Sequence, residues 1–103
     1  MNIFYLSRDP TLAAQAQCDR HVVKMILETA QLLSTAHVEL DGKQVAYKST
    51  HKNHPSAVWV RSSANAYIWA WHHLAALGRE YERRYKKVHK TIREHLEALC
   101  GLP

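Results

Sequence analysis

Proline and glycine are so sparse in this chain that long helices are nearly forced. There are three of each in 103 residues. Neither occurs between Pro10 and Gly42, nor between Pro55 and Gly78. A β-sandwich or barrel needs turn signals about every 8–12 residues, so all-β designs are disfavoured at once. Asp9-Pro10 reads as a helix start, with Asp9 capping and Pro10 in the first helical position. Helical composition then continues to about His37, with a weak point near Cys18-Asp19, and Asp41-Gly42 is a turn signal. Residues 43–54 keep no period and read as a connecting loop. Pro55 opens a second helix expected to run to about Tyr85, weakened at Gly78. A last amphipathic helix is expected over residues 89–100, with Ile92, Leu96 and Leu99 on one face, ended by Gly101 and Pro103. Residues 2–6 are short and apolar, fit for a short strand or an extended arm. The expected fold is all-α: one compact domain over residues 1–103, three to four helices with a short extended N-terminal arm.

Helical angles sort the side chains further. At about 100° per residue, Val22, Val23, Ile26, Leu27, Ala30 and Leu33 share a broad arc, the expected core face. His21, Lys24, Glu28, Gln31 and Thr35 share a second arc about 80° wide. On the second helix Trp59, Ser63, Ala66, Tyr67, Ala70, Leu74, Leu77, Tyr81 and Tyr85 are expected to face the core. Arg61, His72, Arg79 and Arg83 then form a basic ridge on the opposite side, suited to a phosphate backbone.

Composition narrows the function classes. The net charge is +5 with histidine neutral and the sequence pI is about 9.4. Anionic partners are favoured, nucleic acid first. No apolar run is long enough to span a membrane, and the N-terminus lacks a secretory pattern, so a cytoplasmic location without membrane association is expected. Cys18 and Cys100, with no CxxC pair, read as free, buried thiols.

Two constellations carry candidate chemistry. The first is the stripe His21–Lys24–Glu28–Gln31. His21 and Glu28 stand two turns apart on one side of the helix, where Glu28 can act as a general acid/base or stabilise a cation and His21 can orient it. Its plainer reading is a solvated face with one Lys24–Glu28 ion pair. The second is Thr50-His51-Lys52-Asn53-His54-Pro55, two imidazoles and an amine just before a helix, which suits an anion. Its plainer reading is that Asn53 or His54 simply caps the helix. Cys18, His21, His51 and His54 could together hold a metal, but neither pair has the spacing of a common zinc module. His37 lies on the apolar arc and reads as a core histidine bonded to a carbonyl. His72 and His73 point to different sides. Trp59 reads as core, whereas Trp69 and Trp71 remain open and could fill the gap left by an extruded base.

The order of these pieces also carries a resemblance. His21…Glu28, Gly42-Lys43, His54-Pro55…Trp59 and Leu77…Glu80-Tyr81…Arg84-Tyr85…His89-Lys90 together look like a small family of phage and marine proteins. More distantly, over about residues 18–92, the layout is similar to the pyrimidine-dimer DNA glycosylases of the endonuclease V type found in phage. That resemblance implies a compact all-α fold and attack of an N-terminal amine on the sugar C1′, assisted by a helix glutamate. Carried over, Glu28 is the assisting carboxylate and His21 and His54 line the site. Arg61, Arg79 and Arg83 hold phosphates, with His51 and Lys52 in the adjoining loop. The second residue here is Asn, whose bulk normally leaves Met1 in place, so the amine is that of Met1, with Lys24 as the fallback, its pKa lowered if it is buried. The expected function is therefore a glycosylase-like enzyme acting on DNA without a cofactor. The alternatives are a non-catalytic basic protein that binds nucleic acid or a host protein, and a metal-dependent hydrolase. A homodimer is compatible with an apolar arm on so small a domain.

Overall fold

The computed structural model describes residues 8–103, and the expected arm at residues 2–6 lies outside the described residues. Five α-helices follow in order: α1 Pro10–Gln15, α2 Asp19–Asp41, α3 Pro55–Val60, α4 Ala64–Tyr85 and α5 Lys90–His95, with a 3₁₀ turn at Ala98–Cys100. Among the described residues there is no strand. The all-α expectation holds, with more helices than expected because both long segments are interrupted.

Each interruption has a local cause. Asp9 caps α1 by accepting from the Thr11 and Leu12 N–H groups. The helix ends at Ala16, and Cys18 begins α2 as its N-cap. The second break was not anticipated: the segment from Pro55 to Tyr85 is two helices, not one. Ser62 Oγ donates to the Trp59 carbonyl at 2.6 Å, and Ser63, in extended backbone, accepts from the Ala66 N–H at 3.1 Å. Adjacent serines thus offer the backbone alternatives to continuing the helix. Gly42, left-handed at φ 72°, closes α2. α4 runs unbroken through Gly78. Ile92 of α5 packs there so closely that an added Cβ would lie 2.8 Å from its side chain.

The core lies between α2 and α4, with α1 also packed on α4. Val22, Ile26, Ala30 and Leu33 are buried as expected, joined by Met25, Leu32 and Ala36. Val23 and Leu27, assigned to the core by angle, are exposed at 39% and 40%. The buried face is thus turned by roughly 60° from the expected arc. Met25, Leu32 and Ala36, apolar residues on one flank of the expected arc, join the same core cluster and shift its centre. On α4, Tyr67, Ala70, Leu74 and Leu77 are buried as expected, but Ser63 and Tyr85 are exposed. Trp59 is also exposed, at 38%, on the separate helix α3. The radius of gyration of 12.4 Å is close to the ~13 Å of a compact domain of about this length. No described helix is long and apolar enough to cross a membrane.

Candidate functional site

The polar stripe of α2 runs from the surface into the structure. Lys24 is exposed, His21, Glu28 and Gln31 are half-buried, and Thr35 is fully buried. At Thr35 the stripe meets the loop. The Thr50 N–H donates to Thr35 Oγ1 at 3.1 Å, and the Thr35 hydroxyl donates back to the Thr50 carbonyl at 3.4 Å. One residue earlier, Ser34 Oγ donates to the Tyr47 carbonyl at 2.6 Å and accepts from the Ala46 N–H at 3.3 Å. One turn later, Glu39 accepts from Ser49 Oγ at 3.2 Å and lies 3.8 Å from Lys52 Nζ. Glu39 was not singled out from the sequence. Its position four residues beyond Thr35, continuing the same arc, was the available signal. The two constellations named separately are therefore joined along one helix face. Glu28 lies two turns, about 10 Å along the helix axis, from the Thr35 tether.

Histidine chemistry in the loop is fixed by backbone. His54, rather than Asn53, is the N-cap of α3: its Nδ1 accepts from the Ser56 N–H at 3.1 Å. Accepting there requires a lone pair on Nδ1, so the proton of the neutral ring sits on Nε2. His51 is exposed, adopts a left-handed backbone with φ 51°, and its Nδ1 is hydrogen-bonded to Thr50 Oγ1 at 2.7 Å. A left-handed non-glycine residue holds strain, which the Thr50 contact and the His54 N–H bond to the His51 carbonyl at 2.9 Å help to maintain. His89 repeats the capping device on α5, with its Nδ1 accepting from the Thr91 N–H at 3.1 Å. Burial lowers the affinity of its ring for a proton.

The basic ridge is not continuous. His72 and Arg79 are exposed on the face of α4 turned away from α1 and α2. Arg61 is separated from them by the break at Ser62-Ser63 and is half-buried. Arg83 is on the ridge but is bound bidentately to Glu80, at 2.7 and 3.0 Å. Arg84 reaches the same carboxylate at 3.0 Å, and also Asp19 Oδ1 and the carbonyls of Gln17 and Gln15. The Arg83 hydrogen bonds, opposed by burial and reinforced by Arg84, hold Glu80 below the usual carboxylate range. This cluster ties α4 to the start of α2 and is a structural clamp. The pairing of Glu80 with Arg83 and Arg84, three and four residues on along one helix, was available from the spacing, whereas the reach of Arg84 to residues 15–19 exists only in the fold.

The remaining candidates are mostly accounted for by packing. His37 is buried, but its Nε2 bonds the Tyr67 hydroxyl at 2.8 Å rather than a carbonyl, and Tyr67 in turn donates to the Leu99 carbonyl at 2.7 Å. Burial, followed by the nearby Cys100, raises the Tyr67 phenol above its ordinary value, so it stays a donor. His73 is buried. Its Nδ1–H donates to the Pro10 carbonyl at 3.0 Å, and its Nε2 faces the Gln17 amide at 3.1 Å. Burial, only partly offset by the Pro10 bond, lowers its proton affinity. Trp69 stacks on His73 at 4.8 Å and donates to the Arg8 carbonyl, whereas Trp71 donates to the Leu96 carbonyl. Both indole N–H groups are thus used inside the fold. Lys24, the fallback amine, is exposed rather than buried, and Met1 lies outside the described residues. Cys18 and Cys100 are free but exposed, not buried. Among the described residues no three His, Cys, Asp or Glu side chains converge as a metal site.

Comparison with protein-family models, with curated proteins and with solved structures gave no match.

Proposed function

We propose that the α2–loop face acts on DNA as a glycosylase-like centre. The observation that carries this reading is the docking of residues 49–52 along the Glu28-bearing stripe, at Thr35 and Glu39. It puts a carboxylate, an exposed amine and a basic, histidine-bearing loop on one surface. The reaction requires an amine, that of Met1 or of Lys24. Its lone pair attacks C1′ of the deoxyribose, and the C1′–N bond to the base breaks with its electron pair leaving on the base. The amine loses a proton, and opening of the sugar ring gives an imine. Glu28 stabilises positive charge developing at C1′ or relays the proton. His51 and Lys52 take backbone phosphate.

Borohydride trapping on ultraviolet-irradiated, uracil-containing and abasic DNA tests the reading. The expected result is a covalent adduct mapped by mass to Met1 or Lys24, absent in Glu28→Gln on intact substrates. No adduct on any of the three substrates overturns it. A second reading, a non-catalytic nucleic-acid binder, is favoured by the outward position of His72 and Arg79 on a face that does not include the stripe. It predicts salt-sensitive DNA binding that falls in Arg79→Ala and is unchanged in Glu28→Ala.

A further inference from the structure

The corner between α4 and α5 carries a surplus of positive charge that the fold leaves unused. From Arg83 to Arg93 the chain holds no acidic residue. Arg83 and Arg84 are engaged by Glu80. Lys86, Lys87 and Lys90 are exposed, and no ion pair joins them to a carboxylate among the described residues. Of the nearest acids along the chain, Glu94 lies 3.8 Å from His95 and Glu82 stands one turn before Lys86. Lys86 closes α4 in left-handed backbone, φ 59°, with its N–H on the Glu82 carbonyl at 2.8 Å, and His89 opens α5 as its N-cap. These two caps hold the three lysines at one tight turn. An aromatic stack stands at the same turn. Tyr85, 41% exposed, lies on Tyr81 with ring centroids 5.0 Å apart, and His89 meets Tyr81 edge-on at 5.0 Å. The His89 ring is itself fixed by the Thr91 N–H on its Nδ1 at 3.1 Å. Tyr85 is thus braced from within and open to solvent.

We propose that this corner binds single-stranded nucleic acid, with one base stacked on Tyr85 and the flanking phosphates on Lys86, Lys87 and Lys90. Charge selects a polyanion. The exposed ring selects an unpaired base, because a base inside a duplex has both faces stacked on its neighbours and must be extruded to meet a side chain. Lysines act as point charges on flexible stems, which tolerate the variable path of a single strand. An anionic bilayer would attract the same lysines but needs a broader apolar face to bury, whereas the corner presents Tyr85 and Val88. The proposal requires neither an amine nucleophile nor Glu28, so it stands apart from the glycosylase reading. It also differs from binding along His72 and Arg79, which lie earlier on α4.

A short oligothymidylate is the probe, with its duplex with oligoadenylate as the paired counterpart and phosphatidylserine vesicles as the bilayer. The full chain is titrated with each, the Tyr85 ring signals being followed by NMR and affinity by fluorescence anisotropy or, for vesicles, cosedimentation. Oligothymidylate is expected to shift the Tyr85 ring protons upfield, and the duplex to leave them unmoved even where it binds elsewhere. The logarithm of the oligothymidylate binding constant should fall with the logarithm of salt at a slope of about −2 or steeper, three phosphates at about −0.7 each. Replacing Lys86, Lys87 and Lys90 together by Gln should reduce that slope by about 2. Tyr85→Ala is expected to weaken oligothymidylate about tenfold, and Tyr85→Phe to retain wild-type affinity. Tyr85 ring signals unmoved at saturating oligothymidylate overturn the proposal, as do equal shifts with the duplex or unchanged affinity in Tyr85→Ala. Vesicle binding through these lysines without oligothymidylate binding assigns the corner to lipid and overturns it too. The wild-type ring shifts decide the matter even if a variant fails to fold.

Discussion

Arg84 and Arg61 stand near the two ends of α4, and the fold treats them in opposite ways. Arg84, with 15% of its side chain exposed, bridges Glu80, Asp19 and two carbonyls of the α1–α2 junction. Arg61 lines a cavity with a buried nitrogen that bonds nothing. Both belong to what reads, along the sequence, as one basic population. An arginine whose donors are spent within the chain contributes stability.

The largest expected effect comes from removing the carboxylate at the centre of the clamp. Glu80→Ala leaves Arg84 beside α1 without its buried counterion and should destabilise the fold by about 3 kcal/mol, read as a lower urea midpoint at unchanged slope. Arg84→Met should cost about 2 kcal/mol, because Glu80 keeps Arg83 while the Gln15 and Gln17 carbonyls lose a donor. The double variant should be well short of additive, since both changes break one network. A smaller loss, about 1.5 kcal/mol, is expected for Tyr67→Phe, which leaves the His37 ring and the Leu99 carbonyl without the shared hydroxyl.

Acid should act in the same direction through histidine. His73 and His89 have lowered proton affinity in the fold, each chiefly by burial. The unfolded chain therefore binds protons first, so their contribution is complete above about pH 6.5 and is lost as pH falls below it. A melting temperature that declines from pH 7 to pH 5, less steeply in His73→Gln, would agree. A flat profile would show that these rings are not held neutral. The smallest effect is expected at Arg61: Arg61→Met should change stability by no more than about 0.5 kcal/mol, or increase it. A loss as large as that of Arg84→Met would erase the contrast between the two arginines.

Much of the architecture was legible in local chemistry. Asp9-Pro10, Pro55 and Gly42 marked helix ends because capping and left-handed turns depend on adjacent residues. The stripe on α2 followed from angle alone. What periodicity could not supply was the direction of the core. Val23 and Leu27 were indistinguishable from Val22 and Ile26 by angle, and only the burial of Met25, Leu32 and Ala36 in the core showed which flank turned inward. The Ser62-Ser63 break was also written in the sequence, but the apolar arc running across it was the stronger pattern, and Trp59 was carried into the core with it.

The candidate site divides along the same line. Sequence determined which residue types line α2 and the 50–54 loop, because helix geometry fixes spacing and side-chain chemistry fixes donors and acceptors. The tertiary structure alone decided that Thr35 and Glu39 would receive the loop, that Arg84 would reach Asp19 and the Gln15 and Gln17 carbonyls, and that Arg61 would line a cavity. Those are contacts between segments far apart in the chain. Their existence depends on which faces the whole core turns inward, a property that no local run of residues contains.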